Sequence, residues 1–483
     1  MRVRRFGAML SMVAMLSACS GGGSGSIGGG GGSSGSGGGG TPTPTASGCS
    51  LRERQNWAFA QLNEWYLFGE TLPASLDPTP YSSLEAYIDA LTATARAQGR
   101  DRYFTYATSI AEENAYYASG SSAGFGVRLS YDTAARRVFV AESFEGAPAL
   151  TAGIDRGTEI LAIGTSASNL QTVDSLMASN GAQAVTDALG PSTAGTTRVL
   201  RVTDAGGVRN LTVSKADYSL DPVSSRYGAK IITEGGHQYG YLNLRTFITP
   251  ADPELRAAFL NFRNQGVTDV IIDLRYNGGG LVAISELIGD LLGRARTTSN
   301  VLDYTTFRAS KSSNNETRYF NPQPQSIAPT RLAFIGTGGT ASASELTINA
   351  QIPYLHANVG LIGTNTYGKP VGQIAIDRSA CDDRLRVIAF ATENANHQGG
   401  YFNGLAGTVE ASCRAADDLS HPMGDPLEAS TRSAIDFLAG RTCTAISSSG
   451  IGTLSLRESG APKLELLSPE RPNTAQREVP GLF

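Results

Sequence analysis

Apolar residues recur at helical spacing from Leu51 to Phe68, where Trp57, Phe59, Leu62, Trp65 and Tyr66 form one broad face. The spacing predicts a helix there, with a second near Ser83–Ala95, and reads the aromatic residues as core. From 118 to 218 the period shortens to two. Val127 and Leu129 share one face after Gly124-Phe125-Gly126, Arg137–Val140 is a further strand, and Arg198–Thr203 follows a Gly-Pro turn. From 219 to 444 strand and helix signals alternate. Tyr239–Phe247 reads as a strand and Asp252–Phe262 as a helix with Pro253 in its first turn. Val267–Leu274 is a nearly continuous apolar run, as expected of a strand covered on both faces. Leu281–Leu292 is a helix, Arg331–Ile335 a strand, a helix starts near Ser342, and Val359–Ile362 is another strand. This is an α/β layer pattern. Beyond Ala445 the pattern is polar and mixed, and Ile446–Phe483 reads as a loosely attached tail.

The first 48 residues belong to no core. Arg2, Arg4 and Arg5 precede an apolar stretch, Phe6–Ala18, that is too short to span a bilayer and has the form of a secretory signal. It ends Leu16-Ser17-Ala18-Cys19, which resembles a bacterial lipoprotein signal with Cys19 as the lipidated residue; an ordinary cleaved signal is the alternative. Residues 20–48 are Gly/Ser-rich, then Thr-Pro repeats, and read as a tether. Of the 57 glycines, 14 lie in residues 21–40, so the glycine excess is partly one local tract.

Charge and cysteine usage narrow the classes. There are 39 basic and 43 acidic residues, a net charge of −4, which argues against a general nucleic-acid binder. Only 4 His are present, which disfavours multi-His metal sites and His-relay catalysis. Removing Cys19 leaves Cys49, Cys381, Cys413 and Cys443, enough for two disulfides in an oxidising compartment. The expected pairs are Cys49–Cys443, joining the ends of the body, and Cys381–Cys413, closing a local loop. Zinc is the alternative, without supporting spacing.

Residues 118–218 resemble a PDZ domain, on the Gly124-Phe125-Gly126-Val127 loop and the segment Ala152–Ile163. Glycines at a loop-to-strand junction can point N–H groups into one concavity that holds a carboxylate, and the strand edge beside it can accept an extended peptide. Gly124, Phe125, Gly126 and Val127 are the candidates for gripping a substrate C-terminus.

Three later segments carry chemistry: Asp273-Leu274-Arg275-Tyr276-Asn277-Gly278-Gly279-Gly280, Gly339-Thr340-Ala341-Ser342-Ala343-Ser344-Glu345, and Thr366-Tyr367-Gly368-Lys369-Pro370-Val371-Gly372-Gln373. Ser342 sits where a Gly-rich loop gives way to a helix. The N–H of Ala343 there has no helical partner and can receive an oxyanion. With so few His, a base of another type is needed; Lys369, after a glycine turn, is a candidate, and it accepts a proton only if burial lowers its pKa. Ser342-Ala343-Ser344-Glu345 also fits a simple capping box, Ser-x-x-Glu.

In order, behind a PDZ-like segment, these motifs resemble the C-terminal processing peptidases, also called tail-specific proteases. The resemblance implies an α/β fold: a crotonase-like ββα protease core, a preceding or inserted PDZ-like β domain and a small N-terminal helical region. The expected segments are 1–19 signal, 20–48 tether, 49–117 helical region, 118–218 PDZ-like domain, 219–444 protease core and 445–483 tail. It further implies Ser342 as nucleophile, Lys369 as base, Gln373 holding the lysine, Gly280 and Ala343 as oxyanion donors, no cofactor and no metal. The partners would be protein or peptide substrates bound by their C-termini, with a lipid anchor at Cys19 in a bacterial envelope. Ser20 after Cys19 favours the outer membrane by the same analogy.

Two features depart from the family pattern. The stretch from Ser342 to Lys369 is slightly longer, which leaves Ser344 as a competing nucleophile, and Pro370 replaces the glycine usual after the lysine. The rival reading is therefore a catalytically inactive envelope protein that captures C-terminal peptides. A Ser342–His triad using His237, His356, His397 or His421 has no supporting motif. Neither does a carbohydrate surface built on Trp57 and Trp65.

Overall fold

The computed structural model describes residues 48–447 and 464–483. The signal, Cys19 and the tether up to residue 47 lie outside the described residues.

At the centre is a six-stranded sheet in the order Ala229–Glu234, His237–Asn243, Asp269–Asp273, Arg331–Gly336, Val359–Gly363, Ala411–Arg414. The first pair is antiparallel and the rest are parallel. Its buried strands alternate between two cores. Val270 and Ile272 face the helices Ala251–Asn264, Val282–Leu292 and Ala343–Leu355, and Ile271 faces the helix Ala429–Leu438. Cover on both faces explains the unbroken apolar run in the sequence.

A five-stranded antiparallel sheet stands beside it, built on the long strand Asp383–Asn394, which pairs with Tyr106–Ser109, Val301–Phe307 and Val371–Arg378. The helices Leu51–Trp65 and Leu84–Leu91 pack on this sheet through Leu62, Tyr66, Tyr87 and Ile88 against Leu385, Val387 and Ile388. The first helix begins at Ser50, whose side chain accepts the Glu53 N–H. Trp57 and Trp65 are partly buried against this core.

Residues 121–219 form a third body, with strands Val127–Asp132, Arg137–Ser143, Glu159–Gly164, Thr197–Asp204 and Gly207–Ser214 in that order across the sheet. The helical stretch Val173–Leu189, broken at Asn180 and Gly181, covers one face through Val173, Leu176, Met177, Val185 and Leu189.

Two expectations are corrected. The tail is not loose over residues 464–483. Leu467, Val479, Leu482 and Phe483 are buried, and Glu465–Leu466 adds a strand beside Val127–Asp132. Its apolar residues are too sparse to form a core alone and take their order from a sheet edge supplied elsewhere. The disulfides join Cys49 to Cys381 and Cys413 to Cys443, each with Cα atoms 5.5 Å apart. The first clips the N-terminal helix to the turn after strand Val371–Arg378, where Arg378 also donates to the Glu53 carbonyl. The second joins the edge strand Ala411–Arg414 to the chain just after helix Ala429–Leu438. Topology decides both pairs, and linear spacing does not reveal it.

Candidate active site

Ser342 precedes the helix Ala343–Leu355 at φ 55°, ψ −116°, a backbone region that non-glycine residues seldom occupy. The turn sets Ser342 at the helix N-terminus, and the triple-glycine loop lies directly on it. A Cβ on Gly279, at φ +117°, would stand 2.8 Å from the Ser342 Cβ and 3.0 Å from the Ala343 nitrogen, so only glycine fits this approach. Asn277 shapes the loop. Its side chain accepts from the Gly279 N–H and donates to the Leu244 carbonyl. Its carbonyl receives the Ala341 N–H and the Ser344 hydroxyl.

Ser344, the competing nucleophile of the sequence reading, is thus fully buried and committed to a structural bond. Among the described residues the N–H groups of Gly280 and Ala343 donate no hydrogen bond within the protein. Ala343 directly follows Ser342, and Gly280 directly follows Gly279, the residue that packs on the Ser342 turn.

The lysine is held from three sides. Its Nζ donates to Gln373 Oε1 at 2.9 Å, and Gln373 in turn donates to the Phe104 carbonyl. The ammonium lies 5.0 Å from the Phe104 ring centre. Arg102 fixes the loop ahead of it by donating to the carbonyls of Tyr367, Gly368 and Phe402. Burial pushes the Lys369 pKa below its ordinary value, while Glu478 pulls it back up. Pro370 does not spoil this arrangement. Its carbonyl accepts the Thr392 N–H, and the lysine still reaches Gln373.

Glu345 joins the Ser342 turn to the Lys369 loop. Its buried carboxylate accepts the N–H of Ser342 at 3.0 Å, of Lys369 at 2.7 Å and of Gly368 at 2.7 Å, and the Thr366 hydroxyl at 2.6 Å. Desolvation raises its pKa, and the four donors oppose the rise. The sequence marked Glu345 only as the last residue of a capping box; its reach to residues 366–369 is visible only in three dimensions.

None of the four His joins this cluster. His237 pairs with Asp269, His356 with Glu410, His397 with Glu393 and His421 with Asp418. Among the described residues no group of three or more His, Cys, Asp or Glu is arranged to hold a metal ion.

The segment 238–405, which holds all three motifs, matches the model of peptidase family S41. This segment of the chain is similar to peptidase family S41. The C-terminal processing peptidase of the chloroplast of Tetradesmus obliquus is 28% identical over 273 residues, 54% of this chain and 54% of that one. The chloroplastic carboxyl-terminal-processing peptidase 3 of Arabidopsis thaliana is 30% identical over 258 residues, 52% of this chain and 46% of that one. The chain spans about half the length of the curated relatives it matches. A crystal structure of a putative S41 protease from Bacteroides fragilis superposes with a TM-score of 0.61 at 23% identity, covering 80% of this chain and 97% of that one. The S41 fold therefore extends beyond the matched segment. Arg102 and Phe104, which set the lysine, lie outside the segment that matches the S41 model.

The Gly124–Val127 loop lies on the 121–219 body. Gly126, at φ +74°, and Val127 both direct their N–H groups at the main-chain oxygen of Phe483, at 2.9 and 3.2 Å. Gly124 closes the same concavity, since a Cβ there would stand 3.0 Å from that oxygen. The Phe125 side chain is fully buried and belongs to the core of the body.

Proposed function

We propose that this chain is a serine endopeptidase of the bacterial cell envelope that recognises protein C-termini through a PDZ-like domain at 118–218 and cleaves peptide bonds with a Ser342/Lys369 dyad. Ser342 Oγ attacks the peptide carbonyl. Lys369, neutral at the moment of attack, takes the hydroxyl proton and passes it to the leaving amine. The N–H groups of Gly280 and Ala343 hold the oxyanion, and water then releases the acyl group from Ser342. Gln373 keeps the lysine amine oriented. A lipid on Cys19 and the tether after it would hold the body near a membrane. No helix among the described residues is long and apolar enough to cross one.

The observation that carries this reading is the Glu345 carboxylate, which receives N–H groups from both Ser342 and Lys369. A chain that had kept only a peptide-capturing role would have no use for that link, nor for a lysine held by Gln373 with its pKa lowered by burial. The S41 match supports the same chemistry. The test is cleavage of an unstructured protein by wild type, Ser342→Ala and Lys369→Ala. The expectation is loss of activity in both variants by a factor of about 10² or more; equal activity in all three would refute the assignment.

A further inference from the structure

The carboxylate-gripping concavity is already filled by this chain. Phe483 exchanges main-chain bonds with Val127 in both directions, N–H to carbonyl at 2.9 Å one way and 3.2 Å the other. Leu129 donates to the Gly481 carbonyl at 2.8 Å, so residues 481–483 lie as an added strand along Val127–Asp132. The Phe483 side chain is buried in the cluster that holds Phe125, Val127 and Met177. Leu482 enters a separate cluster with Phe144 and Tyr218. Buried Arg128 donates to the Pro480 carbonyl and also to the carbonyl of Tyr276 in the catalytic loop.

From there the segment runs back to the active site. The Gly278 N–H donates to the Glu478 carbonyl at 2.9 Å. A Cβ on Gly278 would stand 2.3 Å from the Arg477 carbonyl. The buried Glu478 carboxylate accepts from Tyr117 and feels the charge of Lys369. A cavity of about 1500 Å³ has Gly278, Ala341 and Lys369 on its walls together with Arg477 and Glu478.

We propose that residues 473–483 are a resident ligand of the peptide groove, and that a substrate chain enters only by displacing them. The segment makes both contacts expected of a substrate, an added strand at Val127–Asp132 and a main chain laid over the glycine loop. It also indicates the ligand class: an extended chain with an apolar aromatic side chain at the place of Phe483, preceded by a second apolar residue. The inference rests on the reading of the Gly124–Val127 loop as a peptide-gripping site.

Hydrogen exchange on the full chain tests the seat directly. The N–H groups of Gly126, Val127 and Leu129 are expected to be protected in the wild type and to lose protection in Phe483→Asp, while the amides of Arg137–Ser143 stay protected and so report an intact fold. In a Ser342→Ala background, which prevents turnover, a fluorescent peptide ending Pro-Gly-Leu-Phe is expected to bind the Phe483→Asp variant at least about tenfold more tightly than the unsubstituted tail, because a tethered competitor acts at millimolar effective concentration. Unprotected amides in the wild type overturn the proposal and leave the peptidase reading standing. Protected amides with no peptide binding to the released groove also overturn it, making the segment a structural strap. That result removes the C-terminal grip as well, and cleavage that depends on Ser342 would still report separately on the dyad.

Discussion

The same oxygen of Glu345, Oε2, accepts the main-chain N–H of Lys369 at 2.7 Å and that of Ser342 at 3.0 Å. The Ser342 turn and the Lys369 loop are therefore joined through one buried carboxylate. Glu345→Gln keeps the volume but cannot accept from four donors with its single carbonyl oxygen. The expected outcome is a fall in kcat of about 10²-fold with a smaller change in KM. The melting midpoint should also fall, because buried N–H groups lose a charged acceptor. Steady-state kinetics and thermal melts check both.

With Lys369 as the proposed base, activity is expected to follow its titration. Its pKa is lowered from 10.5 by burial, so the neutral amine needed for catalysis is populated at lower pH than in a free lysine. kcat/KM should rise with pH through the folded-state pKa and level off before 10.5. The sign for stability follows. A depressed pKa contributes stability that is complete above the unfolded value and is lost as pH falls through the folded one. Lys369→Arg, which stays protonated, should lose about 10²–10⁴-fold in rate at every pH.

Gly279→Ala should separate folding from activity. The added Cβ meets Ser342 Cβ at 2.8 Å and the Ala343 nitrogen at 3.0 Å, which displaces the proposed nucleophile and one proposed oxyanion donor together. A loss of about 10²–10³-fold in kcat is expected, with circular dichroism unchanged.

Asp303 gives a titration away from the active site. Burial first, and Glu286 second, push its carboxyl up to about 7. With a folded pKa above the unfolded one, its contribution is complete below the unfolded value and is lost as pH rises through about 7. Asp303→Asn should flatten the decline in stability between about pH 4 and 7 and leave the variant more stable than wild type above it, by about 1–3 kcal/mol. Denaturant melts across that range measure it.

The two disulfides should differ in weight. Cys49–Cys381 spans 332 residues and Cys413–Cys443 spans 30. On chain-entropy grounds, removing the first is expected to cost about 5–6 kcal/mol and removing the second about 3–4 kcal/mol. Mass mapping of non-reduced digests checks the pairing, and urea melts of the double alanine variants check the order.

What could be read from the sequence was what is local in it. Val267–Leu274 showed its two-sided burial as an apolar run, and Ser342 and Lys369 stood in short motifs with distinctive glycines. Glu345 was legible only as a helix cap, because its second set of donors comes from 21 to 24 residues further on. The tail is not legible in the sequence because Leu467, Val479, Leu482 and Phe483 follow no period of their own. The strand Val127–Asp132 imposes their register, and composition cannot report an edge supplied by residues more than 300 positions away.

The hydrogen bond from Gln373 to the Phe104 carbonyl has a consequence for what the smallest working unit can be. Together with Arg102 it makes the loop between the N-terminal helices and the first strand a support of the Lys369 loop. A fragment cut to residues 238–405 would contain Ser342, Lys369 and Gln373 in one piece. It would still lack the acceptor that orients Gln373, the guanidinium that braces the lysine loop and the aromatic ring beside the amine. Such a fragment should be inert even if it folds, and adding back residues 48–109 in trans is the repair to try.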